Sequence, residues 1–198
     1  MIDLTDELAS TGVIFVGLGR VLCHPGSTIT IRAGSIIGTP ITVLGGGNSI
    51  VIGERCILQG GITLKCKDSR LVIGSGVTWG SVNLMMHESN QILIGDDCMF
   101  SSNIFMDVSD MHPIYNLGTE LRNNYSQPIV LGDHVWVGYG VILLRGTAVQ
   151  TGSIIGAGSV VKGLFEEKNC VIAGNPGRIV KSSIRWERQL PFEAGNVS

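Results

Sequence analysis

From Leu131 to Glu166 one six-residue phrase recurs six times, and that period decides what the chain can fold into. Leu131, Val137, Leu143, Val149, Ile155 and Val161 fall at every sixth position, mostly followed by glycine or another small or polar residue. Four places after most of them stands a small or β-branched residue, as at Val135, Val141, Thr147 and Ser159. A helix turning every ~3.6 residues cannot produce this beat. Each phrase instead reads as one short strand and one corner of a parallel β-solenoid, three phrases closing a triangular coil.

The preceding half keeps a longer rhythm. Ile31, Ile52, Ile73 and Ile94 stand 21 residues apart, with inward anchors expected at Ile31, Ile37 and Val43, at Ile52, Leu58 and Leu64, at Ile73, Trp79 and Met85, and at Ile94, Phe100 and Met106. Each such coil is three hexads plus three residues, and the surplus falls on polar turns: Gly45 to Ser49, Cys66 to Arg70 and His87 to Gln91. Stepping back once more reaches Cys23 to Thr28, so the solenoid starts by about Leu22, or as early as Val16. Roughly seven coils result, each rising ~4.8 Å and none able to bury its apolar face alone.

Bulk properties agree with a single all-β domain. The 198 residues are 44% hydrophobic and only 15% charged, with 28 glycines for the corners. A net charge of −2 and a pI near 6.1 argue against a nucleic-acid binder. No apolar run approaches the ~18 residues of a membrane span, and the acidic start, Met1 to Glu7, is no signal peptide. Five cysteines without a CxxC pair, with Cys56 and Cys98 in inward slots, read as small hydrophobes in a reducing compartment, so a cytoplasmic location is expected.

One break in the rhythm is much longer than the others. After Met106 the next clean anchor is Leu131, so the chain leaves the prism over 107–128 and returns. Long loops on regular scaffolds are where function concentrates. This one carries His112 beside Ser109 and Asp110; the residue is either a proton-exchanging group or an ordinary polar loop residue. Trp136 sits at the outward position of its hexad, as a ligand or subunit contact. Trp79 occupies a core slot, and Trp186 packs in the tail. His24 and His87 share the turn slot as surface residues three coils apart, and His134 is an outward residue near Trp136. Neither phase nor spacing brings three histidines together for a metal. Beyond Glu166, Arg178, Lys181, Arg185 and Arg188 recur every three to four residues, as a basic stripe on a short C-terminal helix. That stripe is either a solvated face or a phosphate site.

These features together resemble a known family. The hexads, the loop histidine and the ending Val171-Ile172-Ala173-Gly174-Asn175-Pro176-Gly177-Arg178-Ile179-Val180-Lys181 are similar to the hexapeptide-repeat acyltransferases, which fold as left-handed parallel β-helices. The run Pro128-Ile129-Val130-Leu131-Gly132-Asp133-His134-Val135-Trp136-Val137-Gly138 resembles their carbohydrate O-acetyltransferase branch. Ser109-Asp110-Met111-His112, 24 residues before Trp136, looks most like the enzymes that acetylate sialic-acid capsules, O-antigens and other surface polysaccharides.

The resemblance implies an acetyl-CoA-dependent transfer to a sugar hydroxyl with no metal. His112 is then the general base in a ternary complex, and Trp136 or a nearby backbone N–H stabilises the oxyanion or departing thiol. Asp110 or a backbone carbonyl would orient the imidazole. The pantetheine arm would pass Gly138, Gly140, Ala157 and Gly158, and Lys162, Arg178 and Lys181 would meet the nucleotide end. Asn83, Ser109, Asp110 and Tyr115 are the implied acceptor contacts, and a homotrimer with sites between subunits is the implied assembly. The chain departs from the pattern at Lys162-Gly163, where Thr-Lys is common, and at Arg145-Gly146, where Pro often precedes Gly. It also lacks the helical N-terminal segment of the maltose and galactoside enzymes. The alternatives are an antibiotic O-acetyltransferase on the same scaffold, a carbonic-anhydrase-like metal enzyme and a non-catalytic solenoid.

Overall fold

A computed structural model describes residues 1–189; the last part of the tail expected over 176–198 lies outside the described residues. Three columns of buried side chains run the length of a parallel β-helix. The first stacks Ile31, Ile52, Ile73, Ile94, Leu131, Val149 and Phe165 in register. The second stacks Ile37, Leu58, Trp79, Phe100, Val137, Ile155 and Ile172. The third stacks Val21, Ile41, Ile62, Leu84, Met106, Leu143 and Val161. Every one of these side chains is buried. Each coil thus covers the apolar face of the next, and its backbone groups bond to the coils above and below.

The first column belongs to a seven-stranded sheet, and the other two share a fifteen-stranded one. That sheet covers two faces of the prism because Ile57–Leu64 and Thr78–Met86 run unbroken around a corner. At this corner the sequence reading needs one correction. A bulge between Trp79 and Val82 adds a residue, so Leu84 and Met86 point inward while Met85 is only half-buried. The period slips by one there, which moves the inward set to its neighbours.

Polar turns stack as well. Ser27 Oγ accepts the N–H of Asn48 at 3.0 Å, Asn48 Oδ1 accepts the N–H of Ser69 at 3.0 Å, and Ser69 Oγ accepts the N–H of Asn90 at 3.1 Å. This ladder satisfies turn amides that burial would otherwise leave unpaired.

On the fifteen-stranded sheet each end of the stack carries an antiparallel strand, which blunts an otherwise open edge. At the start, Ile2–Asp3 pairs antiparallel with Arg20–Cys23, and a short helix, Thr5–Ala9, buries Leu8. The N-terminal segment thus carries one helix of five residues. The solenoid begins with Ile14–Phe15, which pairs with Ile36–Gly38. At the far end the C-terminal helix expected from Arg178 to Arg188 is absent among the described residues. Arg178–Lys181 is a strand, paired antiparallel with Val171–Ala173, and no helix follows through residue 189. The β-branched Ile179 and Val180 and the free edge of the last coil together outweigh the helical spacing of the cations.

Candidate active site

The excursion leaves the prism after the Ile104–Asp107 strand and returns at Ile129–Leu131. Its neck is closed by Gln127 N–H donating to the Val108 carbonyl at 3.0 Å. Within it Asn124, buried, is the hub. Its Nδ2 donates to Asp110 Oδ2 at 3.1 Å and to the His112 carbonyl at 2.8 Å, while its Oδ1 accepts from Ile114 N–H at 2.7 Å and Arg122 Nε at 3.2 Å. The loop also rests on the turn of the coil below: Arg122 pairs with Glu88, and Asn90 Nδ2 donates to Ser126 Oγ at 3.1 Å.

His112 is held at both ends of its own peptide units. Its N–H donates to the Asp110 carbonyl at 2.7 Å and its carbonyl accepts from Asn124. Its ring is exposed and has no hydrogen-bond partner among the described residues. Asp110 does not orient that ring. Its Oδ2 accepts from Arg145 Nε at 2.6 Å, and Arg145 also reaches the Tyr125 carbonyl at 3.3 Å and Gln127 Oε1 at 3.4 Å. Partial burial raises the Asp110 carboxyl, but the hydrogen bonds from Arg145 and Asn124, with the charges of Arg145 and Lys162, outweigh it and hold the group below its ordinary value. The Arg145-Gly146 departure thus has a physical role: the arginine ties both legs of the loop to the prism. Ser109 is buried, its Oγ accepting the N–H of Met111 at 2.9 Å, so it shapes the turn. Tyr115 and Asn83 face outward and exposed.

Trp136 lies on the outer surface between Met99 and Ile154, 37% exposed. Its companion is Trp186, ring centroids 5.9 Å apart. Trp186 also stacks on His134 at 3.9 Å and donates its Nε1–H to the His134 carbonyl at 3.0 Å. Asp97 accepts from His134 Nδ1 at 2.6 Å and from Arg188 Nε at 2.6 Å, and Arg188 also donates to Thr78 Oγ1 at 2.8 Å. The tail is thereby clasped across the coils. Among the described residues, no hydrogen bond or ring contact joins His112 to Trp136 within one chain.

The basic stripe does not exist as a unit. Arg188 is turned onto Asp97 and Arg185 pairs with Glu187 at 2.9 Å, leaving Arg178 and Lys181 exposed on their strand and Lys162 exposed on the coil before. The glycines divide by cause. A Cβ at Gly138 would come within 2.6 Å of Ala157 N, so that glycine is required for the coils to stack. Gly140 and Gly158 have φ of 68° and 69°, and open space where a Cβ would stand; Ala157 beside them is exposed.

One pair was missed by sequence reading. His87, expected as a surface turn residue, is mostly buried, and its Nδ1–H donates to Asp107, the last strand residue before the loop. Burial raises the Asp107 carboxyl, and the hydrogen bond and charge of His87 offset this only in part. The polar Asp107 in a hydrophobic strand was the available signal. Among the described residues no group of three or more His, Cys, Asp or Glu side chains converges on one point, and no helix is long and apolar enough to cross a membrane.

No family model matches the chain. A polysialic acid O-acetyltransferase of Neisseria meningitidis is 34% identical over 187 residues, covering 83% of this chain and 87% of that protein. Among solved structures, the polySia-specific acetyltransferase NeuO superposes with a TM-score of 0.73 at 26% identity, over 92% of this chain and 85% of that one. The polysialic acid O-acetyltransferase OatWY gives 0.65 at 30% identity, over 87% and 92%. A likeness of this extent, over nearly the whole of both chains and on the same left-handed β-helix, places this protein in the hexapeptide-repeat O-acetyltransferase family.

Proposed function

We propose that the protein transfers an acetyl group from acetyl-CoA to a hydroxyl of a sugar in a surface polysaccharide, with His112 as general base. The observation that carries this reading is His112 itself. It is an exposed imidazole with no partner on its ring among the described residues, held by its backbone on both sides in a loop tied down by Asn124 and Arg145. A base must be fixed in place yet free at the nitrogen that takes the proton. The sugar acceptor follows from the relatives, whose names specify polysialic acid.

The chain has surfaces suited to a long thioester with a phosphate-bearing end. Gly140, Ala157 and Gly158 leave an open strip on the outer face, and the exposed Lys162, Arg178 and Lys181 offer charged donors to phosphate. Acetyl-CoA supplies the acetyl group as a thioester. In this reading the exposed Asn83 and Tyr115 hold the acceptor, while Ser109 and Asp110 act by shaping the loop. In the reaction the acceptor oxygen bonds to the acetyl carbon as a ring nitrogen of His112 takes its proton. The carbon–sulfur bond breaks, and the thiolate leaves with the proton returned by His112. The indole N–H of the partly exposed Trp136, in the same reading, stabilises the charge that develops on oxygen or sulfur. No covalent enzyme intermediate is formed.

Because Trp136 and His112 do not meet within one chain, the reading includes a homotrimer in which one copy's loop faces its neighbour's groove. Five buried, unpaired cysteines accord with a reducing, cytoplasmic location. Thiol release from acetyl-CoA, measured with a panel of oligosaccharides, tests the proposal. The His112→Ala variant is expected to lose ~10²–10⁴-fold in turnover. Equal rates for variant and wild type would remove the base assignment.

A further inference from the structure

His87 has no part in the reaction described above, yet it is closely built into the base of the loop. Its side chain is 16% exposed and hydrogen-bonds to an Asp107 carboxylate that is 1% exposed. Asp107 is the residue at which the chain leaves the prism. While Oδ2 is bound to the imidazole, Oδ1 accepts the N–H of Ser109 at 3.1 Å and the backbone N–H of His87 at 3.4 Å. Ser109 Oγ in turn accepts the N–H of Met111 at 2.9 Å. Met111 has a φ of 64°, a left-handed conformation that a side chain of this size adopts only where its surroundings hold it. The next residue is His112.

We propose that His87 and Asp107 are positioning residues for His112: the pair locks the first turn of the excursion, through Ser109 and Met111, into the geometry that aims the imidazole. The inference rests on the reading of His112 as the base. Both oxygens of one carboxylate are in use, so anchoring Oδ2 on His87 fixes the direction in which Oδ1 meets Ser109. Among the described residues no other cation is free to take over. Arg122 is held by Glu88, Arg145 is held by Asp110, and the remaining titratable group facing the carboxylate is the buried thiol of Cys66. Without the ring, Asp107 would keep only its two backbone donors. It would then take up a proton or turn away, and either change loosens Ser109.

The test compares kcat and KM for His87→Ala, His87→Asn, Ser109→Ala, His112→Ala and the His87→Ala/His112→Ala double variant, with acetyl-CoA and an oligosaccharide acceptor. Asparagine places an amide N–H near the position of Nδ1, so it serves as the conservative replacement. His87→Ala is expected to lower kcat by up to ~10²-fold, the scale of a small misplacement of a catalytic group. The KM for acetyl-CoA should not move. His87→Asn should recover most of the rate, and Ser109→Ala, which deletes one buried hydroxyl, should reproduce part of the loss if His87→Ala does not fold. On the His112→Ala background, loss of His87 should add nothing. A wild-type kcat in His87→Ala or in Ser109→Ala overturns the inference. So does a His87→Asn variant as slow as His87→Ala, or a full further loss on the His112→Ala background, since either marks the pair as a packing element only. A wild-type rate in His112→Ala instead removes the base assignment itself, and the positioning role with it.

Discussion

Replacing Arg145 with alanine separates loop placement from fold stability. The Arg145 side chain is 10% exposed and its partner Asp110 is 31% exposed. Removing one member of a fully buried pair costs about 3–5 kcal/mol, and a single hydrogen bond to a charged group is worth about 1.5–3 kcal/mol. Water reaches Asp110, and Asn124 still donates to it, so the lower range applies, at about 2 kcal/mol. With about 1.4 kcal/mol per tenfold change, the equilibrium that keeps the loop docked shifts by roughly 30-fold. Because the excursion lies outside the stacked coils, that change should appear as local opening with little effect on global unfolding. Hydrogen exchange over 108–128 should accelerate by about that factor and kcat should fall, while the melting temperature moves by at most a few degrees. Arg145→Lys should fall between, since it keeps the charge and loses the planar set of donors. In a double-mutant cycle with Asp110→Asn most of the penalty should be shared. Unchanged exchange in the loop of Arg145→Ala would refute this account, as would penalties that simply add.

Three further outcomes follow from the structure. Leu84→Ala should lower unfolding free energy by about 2–5 kcal/mol in denaturant titrations, whereas Met85→Ala should cost under about 1 kcal/mol; the reverse order would place the bulge elsewhere. Burial pushes the Cys98 thiol up to about 12, against the pull of the Val135 N–H, and all five cysteines are buried; a thiol reagent at pH 8 should leave the native protein unlabelled, and rapid labelling would contradict the packing. Partial burial raises Asp97, but the hydrogen bonds and charges of His134 and Arg188 hold it below its ordinary value. The stability it contributes is therefore present above the unfolded aspartate value and lost as pH falls through the lowered one. Trp186 fluorescence should report release of the tail only in strong acid, and Asp97→Asn should release it at neutral pH.

The hydrophobic period made the solenoid legible because every coil repeats the same task, burying one residue per strand against an identical neighbour. Ile31, Ile52, Ile73 and Ile94 could be aligned by counting alone, and the seven strands of that face stack as the count requires. The count failed at Met85, where one inserted residue at a corner shifts the inward set without altering composition. The tail failed for another reason. The spacing of Arg178, Lys181, Arg185 and Arg188 is helical, but spacing carries no information about an unpaired edge waiting on the last coil.

The candidate site divides along the same line. His112 and Trp136 were visible as residues that the repeat does not explain, one in its longest interruption and one too large for its outward slot. The groups that hold them were not. Around His112, the residues Asn124, Arg145, Asp107 and His87 come from separate stretches of chain, and even where one stands out, as Asp107 does in its hydrophobic strand, nothing in the sequence names its partner.

Sequence by itself therefore determined the coil, two of its three buried columns and the place where the chain must leave them, because periodicity is a local property that every repeat states again. Only the tertiary structure decided which polar groups meet at the base of the excursion and how the tail returns across Trp136. Those pairings join residues up to 112 positions apart, and they depend on which side chains stacking brings to one edge of the prism.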